Sequence, residues 1–146
     1  MESAGMTGLP DRVKRPVVKA GGGSDWLEKA LLLLDGIAAM PDNWDGEGSP
    51  RPNGQIIGGA RHLLDRLRDA RLEALPVPFI CPIAGGGIQF EWSSPRRHLE
   101  IEFGAPFIVA FLKEEVTPEG EKTATGECSA TDAESTHQLL EWFAAV

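Results

Sequence analysis

At Pro76 the hydrophobic period of this chain changes from 3.6 residues to 2, and that switch limits what the whole can fold into. Before it, Leu27, Leu31, Leu34 and Ala38 form one helical stripe, with Trp26, Ala30, Leu33 and Ile37 beside it. A stripe that wide packs against more than one element. After it, apolar residues alternate with polar ones through a run of short segments joined by turns. Helices followed by consecutive strands predict a two-layer α+β sandwich. An antiparallel meander of four to five strands should carry two N-terminal helices and one C-terminal helix on one face.

The boundaries follow from local chemistry. Ser24 or Asp25 can cap the first helix, with Glu28 completing a capping box, and Met40-Pro41 ends it. Ile56, Ala60, Leu63, Leu64 and Leu67 predict a second amphipathic helix running to about Leu75. Its outer face carries Arg61, Asp65, Arg66, Arg68, Asp69 and Arg71, with Arg61 and Asp65 at pairing distance.

Val77, Phe79, Cys81 and Ile83 then alternate up to Gly85-Gly86-Gly87, a turn able to adopt positive φ. Ile88, Phe90 and Trp92 make the next strand, and Ser94-Pro95-Arg96-Arg97 the next connection. Leu99, Ile101 and Phe103 follow. Phe107 to Leu112 is apolar on both faces, as in a central or doubly covered strand. Lys122 to Cys128 reads as a short edge strand. Thr131 with Glu134 forms a capping box for a last helix that has Leu139, Leu140, Trp142 and Phe143 on its apolar side.

A chain of 146 residues makes one well-buried domain, here residues 24–146. Residues 1–23 have no periodicity and read as a flexible, basic, Gly-rich arm with a charge of +2. The total is −8, so the rest carries −10. A body that acidic is a poor non-specific binder of nucleic acid. It suits a basic partner, or it serves solubility alone. Cys81 and Cys128 lack CxxC spacing, which disfavours a zinc site or a disulfide scaffold. With no signal-peptide pattern and no 18-residue apolar run, the chain reads as cytoplasmic, with no membrane partner.

The densest local signal is Pro41-Asp42-Asn43-Trp44-Asp45-Gly46-Glu47-Gly48-Ser49-Pro50. Its alternating oxygens resemble the first half of a calcium loop. The twelfth position from Asn43 is Gly54, however, where a bidentate Glu is required. The structural alternative buries Trp44 in the helix–sheet seam, with Asp45 closing an Asx-type turn over Gly46. Trp44, Gly46, Gly48 and Trp92 are accordingly read as structural.

No catalytic set emerges. The Gly triplet precedes a strand, whereas a phosphate cradle needs a helix N-terminus. His62, His98 and His137 have no ligand spacing, no GxSxG occurs, and Cys81 reads as inert core. The expectation is therefore no enzyme, no metal and no cofactor. Gln89, Glu91, His98, Glu100 and Glu102 should project away from the helices on two adjacent strands. Carboxylates at cross-strand distance repel by up to about 1 kcal/mol per close pair. They gain when a Lys or Arg surface docks on them; otherwise they form a plain solvated face. The partner-binding set is Glu91, His98, Glu100 and Glu102, with Asp45 and Glu47 from the loop.

Taken together, Asn43-Trp44-Asp45-Gly46-Glu47-Gly48 and Gly86-Gly87-Ile88-Gln89-Phe90-Glu91-Trp92 resemble a group of small bacterial proteins of uncharacterised function. That group has an NWDGYGA loop, a following helix, a GGI-x-LEW hairpin and a strand of LEIEI type. The likeness spans roughly Leu27 to Leu112, departing at Glu47 (usually Tyr) and Ser49 (usually Ala). It implies a place in mobile or defence-linked gene sets, where one protein restrains another.

Three readings follow. The first is a non-catalytic accessory, inhibitory or antitoxin-like subunit docking a larger, basic protein. The second is a nucleic-acid accessory protein using the arm with Arg61, Arg66, Arg68 and Arg71, supported by Arg96 and Arg97. The third is a small hydrolase or ligand-binding domain using Asp45, Glu47 and Glu91. Oligomeric state stays open.

Overall fold

A computed structural model describes residues 25–68, 72, 75–105 and 108–145. The expected basic arm, Ser24, the side chain of Asp25, Asp69, Arg71 and Phe107 lie outside the described residues. The order is α1 (Asp25–Ala38), α2 (Gly54–Arg66), β1 (Phe79–Ile83), β2 (Gly87–Ser93), β3 (Arg97–Ala105), β4 (Ile108–Thr117), β5 (Gly120–Ser129) and α3 (Ala133–Ala144). The five strands form one antiparallel meander in sequence order. No described helix is long and apolar enough to cross a membrane.

All three helices bury their apolar residues against the same face of the sheet. Trp26, Leu34, Ile57, Leu64, Leu140 and Phe143 share one core with Phe90, Trp92, Leu99, Ile101, Phe103 and Val109. Trp26 meets Trp92 edge-on at 6.0 Å, Phe90 stacks on Trp92 at 6.2 Å, and the Trp92 indole N–H donates to the Pro76 carbonyl. The two-layer α+β sandwich stands as the periodicity predicts.

Several details differ from the sequence reading. Leu33, expected in the core stripe, is 45% exposed. Helix α2 ends at Arg66 rather than near Leu75. Leu72 and Leu75 are still buried. Arg61 pairs with Asp35, not Asp65, and Arg68 takes Asp65 together with Glu28. Helix α3 is capped by Asp132, which accepts from Ser135, rather than by a Thr131–Glu134 box.

Strand β1 is inverted. Ile80 faces the helices, so Phe79, Cys81 and Ile83, paired with Glu91, Gln89 and Gly87, lie on the other face. Cys81 is therefore half-buried outside the helix-side core, whereas Cys128 pairs with Val109 on the helix side. Strand β4 is internal, but its outer face has no helix over it, and Ile108 is largely exposed. Strand β5 runs ten residues, longer than the short edge expected. Its polar, mostly exposed sequence has no apolar period to read. The Phe111 ring fills the space above Gly126, where a Cβ would come within 2.6 Å of it.

Candidate functional site

The loop between α1 and α2 is held by its own side chains. Asn43 sits at φ 61°, and its Oδ1 accepts from the Gly48 N–H at 2.6 Å. Asp45 Oδ1 accepts from the Glu47 N–H at 2.9 Å and the Ser49 N–H at 3.3 Å, while Oδ2 accepts from the Ser49 hydroxyl. The Glu47 bond is the expected Asx turn. Led by the Ser49 hydroxyl and then the Glu47 amide, these donors hold the Asp45 carboxyl below the usual range. Asp42 accepts from the Arg51 N–H. With Asn43 and Asp45 turned onto the loop's own donors, the loop is not laid out around a cation.

Trp44 departs from expectation. Its indole N–H donates to the Pro50 carbonyl at 3.0 Å, and the ring is half-buried within the loop. The seam expected to hold Trp44 is filled by Trp26 and Trp92 instead. Gly46 and Gly48 take positive φ, a conformation open to glycine without steric cost.

The loop leads into the N-cap Asn53, whose side chain accepts from Gln55 and Ile56. Its own N–H donates to the Gly86 carbonyl at 2.8 Å, seating the loop's exit on the β1–β2 turn. Glu91 lies five residues beyond Gly86, or about 16 Å at roughly 3.3 Å per residue. Among the described residues the side chains that gather within 4.8 Å of Glu91 are those of His98 and Glu100, and Asp45 and Glu47 are not part of that group.

Directly paired residues of an antiparallel sheet point to the same side, so the register sorts the charges. Glu91, Glu100, Glu102, Glu114, Glu121 and Glu127 all fall on the helix-free face. Arg97, Lys113 and Lys122 fall on the helix side. Among the described strand residues no Lys or Arg lies on the helix-free face. On this face Glu91, Glu100 and Glu102 lie between half-buried Phe79, Cys81 and Ile83 of β1 and half-buried Ala110 and Leu112 of β4.

Arg97, Arg66, Arg61 and Arg68 have internal partners. Arg97 forks onto Glu115, donates to the Trp142 carbonyl and stacks on the Trp142 ring at 4.6 Å. Arg66 donates to the Thr131 carbonyl, while Arg61 and Arg68 hold the carboxylates named above. Arg96 is exposed in the β2–β3 turn. The α2 surface is therefore a set of mixed ion pairs rather than a bare basic stripe.

Within the acidic face the structure brings together Glu91, His98 and Glu100. Glu91 pairs directly with Glu100 across β2 and β3, and Ser93 pairs with His98. His98 Nε2 lies 2.8 Å from a Glu100 oxygen and 3.5 Å from a Glu91 oxygen. Its Nδ1 shares a 2.7 Å hydrogen bond with the Ser93 hydroxyl. Glu91 does not form a solvated face, since it is 1% exposed. It cannot meet a docking partner directly. Glu102 lies further along β3 on the same face, outside this cluster.

The convergence was within reach of the sequence. Taking Ser94–Arg97 as the turn and counting back along both arms sets Ser93 opposite His98 and Glu91 opposite Glu100. What no pattern carried was the depth of Glu91. No protein-family model, curated protein or solved structure matches the chain.

Proposed function

We propose that the protein is a non-catalytic binding module, an accessory, inhibitory or antitoxin-like subunit that docks a larger basic protein on its helix-free sheet face. The observation that carries this reading is the segregation of charge: six glutamates on that face and the strand cations on the other. Carboxylates gathered this way repel one another, and the repulsion is relieved when Lys or Arg groups arrive. The half-buried apolar flanks supply area that a docked surface can cover. Glu102 and Glu114 are the contact residues, with Glu100 behind them; Glu91 acts from beneath the surface.

The test uses the intact chain as bait in a host lysate, beside Glu102→Arg/Glu114→Arg. A partner lost with the double reversal, and rebinding in purified form only to the unaltered chain, supports docking through this face. The same proteins captured by both baits would sink it.

A further inference from the structure

We propose that Glu91, His98 and Glu100 form a binding site for one first-row divalent transition-metal ion, of which Zn²⁺ is the best match. This site shares Glu91 and Glu100 with the proposed docking face, but the contact residues of that face, Glu102 and Glu114, lie outside it. One ligand atom from each of the three residues lies within 4.8 Å of the other two. In a tetrahedral centre with bonds of about 2.1 Å, ligand atoms sit about 3.4 Å apart. The observed separations from His98 Nε2, 2.8 Å and 3.5 Å, bracket that value. Between His98 and Glu100 an ion needs an opening of about 0.6 Å, the difference between about 3.4 Å and the observed 2.8 Å.

The backbone arranges this convergence. Glu91 and Glu100 are directly opposite, and His98 stands two residues from Glu100 on the same face. Long carboxylate arms from neighbouring strand positions can meet one imidazole there. Side-chain exposures of 1%, 18% and 27% for Glu91, His98 and Glu100 place the meeting point beneath the surface. A charge-rich cluster at that depth gains more from a divalent cation than an exposed one does.

The imidazole sets the class of ion. Nitrogen with two carboxylate oxygens suits zinc and its first-row neighbours, whereas magnesium and calcium favour oxygen alone. The Ser93 hydroxyl on Nδ1 fixes the ring so that Nε2 faces both carboxylates, as an outer partner does for a metal-bound histidine. Three protein ligands leave a coordination position for water or a partner's side chain. The competing use of the same geometry is an imidazolium held between two carboxylates, and the experiment separates the two.

The full chain, stripped by chelator dialysis, is titrated with Zn²⁺ in a calorimeter. The expected result is one ion per chain, weakened at least tenfold in His98→Ala and in Glu100→Gln and unchanged in Glu102→Gln. Circular dichroism confirms that each variant is folded. A measurement needing no variant follows the ring nitrogens of His98 by NMR. Zinc should move the Nε2 resonance far more than Nδ1. Absence of binding at millimolar zinc, affinity unaltered by both ligand substitutions, or an unmoved Nε2 would overturn the site and leave the ion-pair reading. Loss of docking in Glu102→Arg/Glu114→Arg bears on the binding face alone.

Discussion

Trp92→Ala should be far more damaging than Trp44→Ala, although both indoles donate to a proline carbonyl. Trp92 is 3% exposed and touches Trp26 and Phe90. Burying an indole removes about 200 Å² from water. At roughly 25 cal/mol per Å² that is about 5 kcal/mol of transfer free energy. The lost hydrogen bond adds about 1 kcal/mol and each ring contact about 0.5–1.5 kcal/mol. Inward relaxation around the alanine returns part of this, so a net loss of about 4 kcal/mol is expected, within the usual range for such truncations. Trp44 is half-buried in an exposed loop with one such bond, and its removal should cost about 1–2 kcal/mol. Urea unfolding followed by circular dichroism measures both without relying on tryptophan emission. Unchanged urea slopes would show that the variants differ in stability rather than in the compactness of the unfolded chain. If Trp44→Ala cost as much as Trp92→Ala, the assignment of the helix–sheet seam to Trp26 and Trp92 would be wrong.

Arg97 links the β2–β3 turn, β4 and the end of α3 through Glu115 and Trp142. Its removal in Arg97→Ala should cost about 2–3 kcal/mol, and Arg97→Lys should recover less than half, because a lysine lacks the planar fork. Full recovery by lysine in urea melts would show that charge alone matters there. The Asp132 carboxyl is held low chiefly by the Ser135 hydroxyl, then by the Ser135 amide. A lowered folded pKa contributes stability fully present above the unfolded value near 3.8 and lost as pH falls through the folded one. Asp132→Ala should therefore destabilise most at neutral pH and converge with the unaltered chain in acid. A stability difference that does not shrink between pH 6 and pH 2.5 would rule out the carboxylate cap as its source.

Much of the fold was legible because element type is a local matter. A 3.6-residue stripe and a 2-residue alternation reflect the geometry of one helix or one strand, and neither needs a partner to be seen. Hence the element order, the meander and the helices on one face could be read directly. The Asx turn at Asp45 was equally local. Boundaries were less secure where a pattern simply faded, as after Leu67, or never existed, as along the polar residues of β5. The capping boxes show the same limit. Thr131 and Asp132 both offer an oxygen, and only the fold decides which one meets a free amide.

The candidate site was half legible. Glu91, His98, Glu100 and Glu102 could be placed on one face by alternation, and the turn at Ser94–Arg97 implied their pairing. Their shared role with Asp45 and Glu47 could not be checked without knowing where the loop closes, and it closes on Gly86. Trp44 illustrates the converse error. A tryptophan among turn residues suggests burial in the body, yet Trp44 is only half-buried and its hydrogen-bond partner, Pro50, belongs to its own loop.

By itself the sequence determined the class of fold, the order of its elements and the excess of acid over base. Only the tertiary structure decided that Phe79, Cys81 and Ile83 face away from the helices, that six glutamates share one sheet face, and that Glu91 is buried within it. The physical reason is register. A strand's alternation says that two faces exist, but which face meets the helices depends on pairing with neighbours. Depth depends on how those neighbours crowd around each position, a sum over residues distant in the chain.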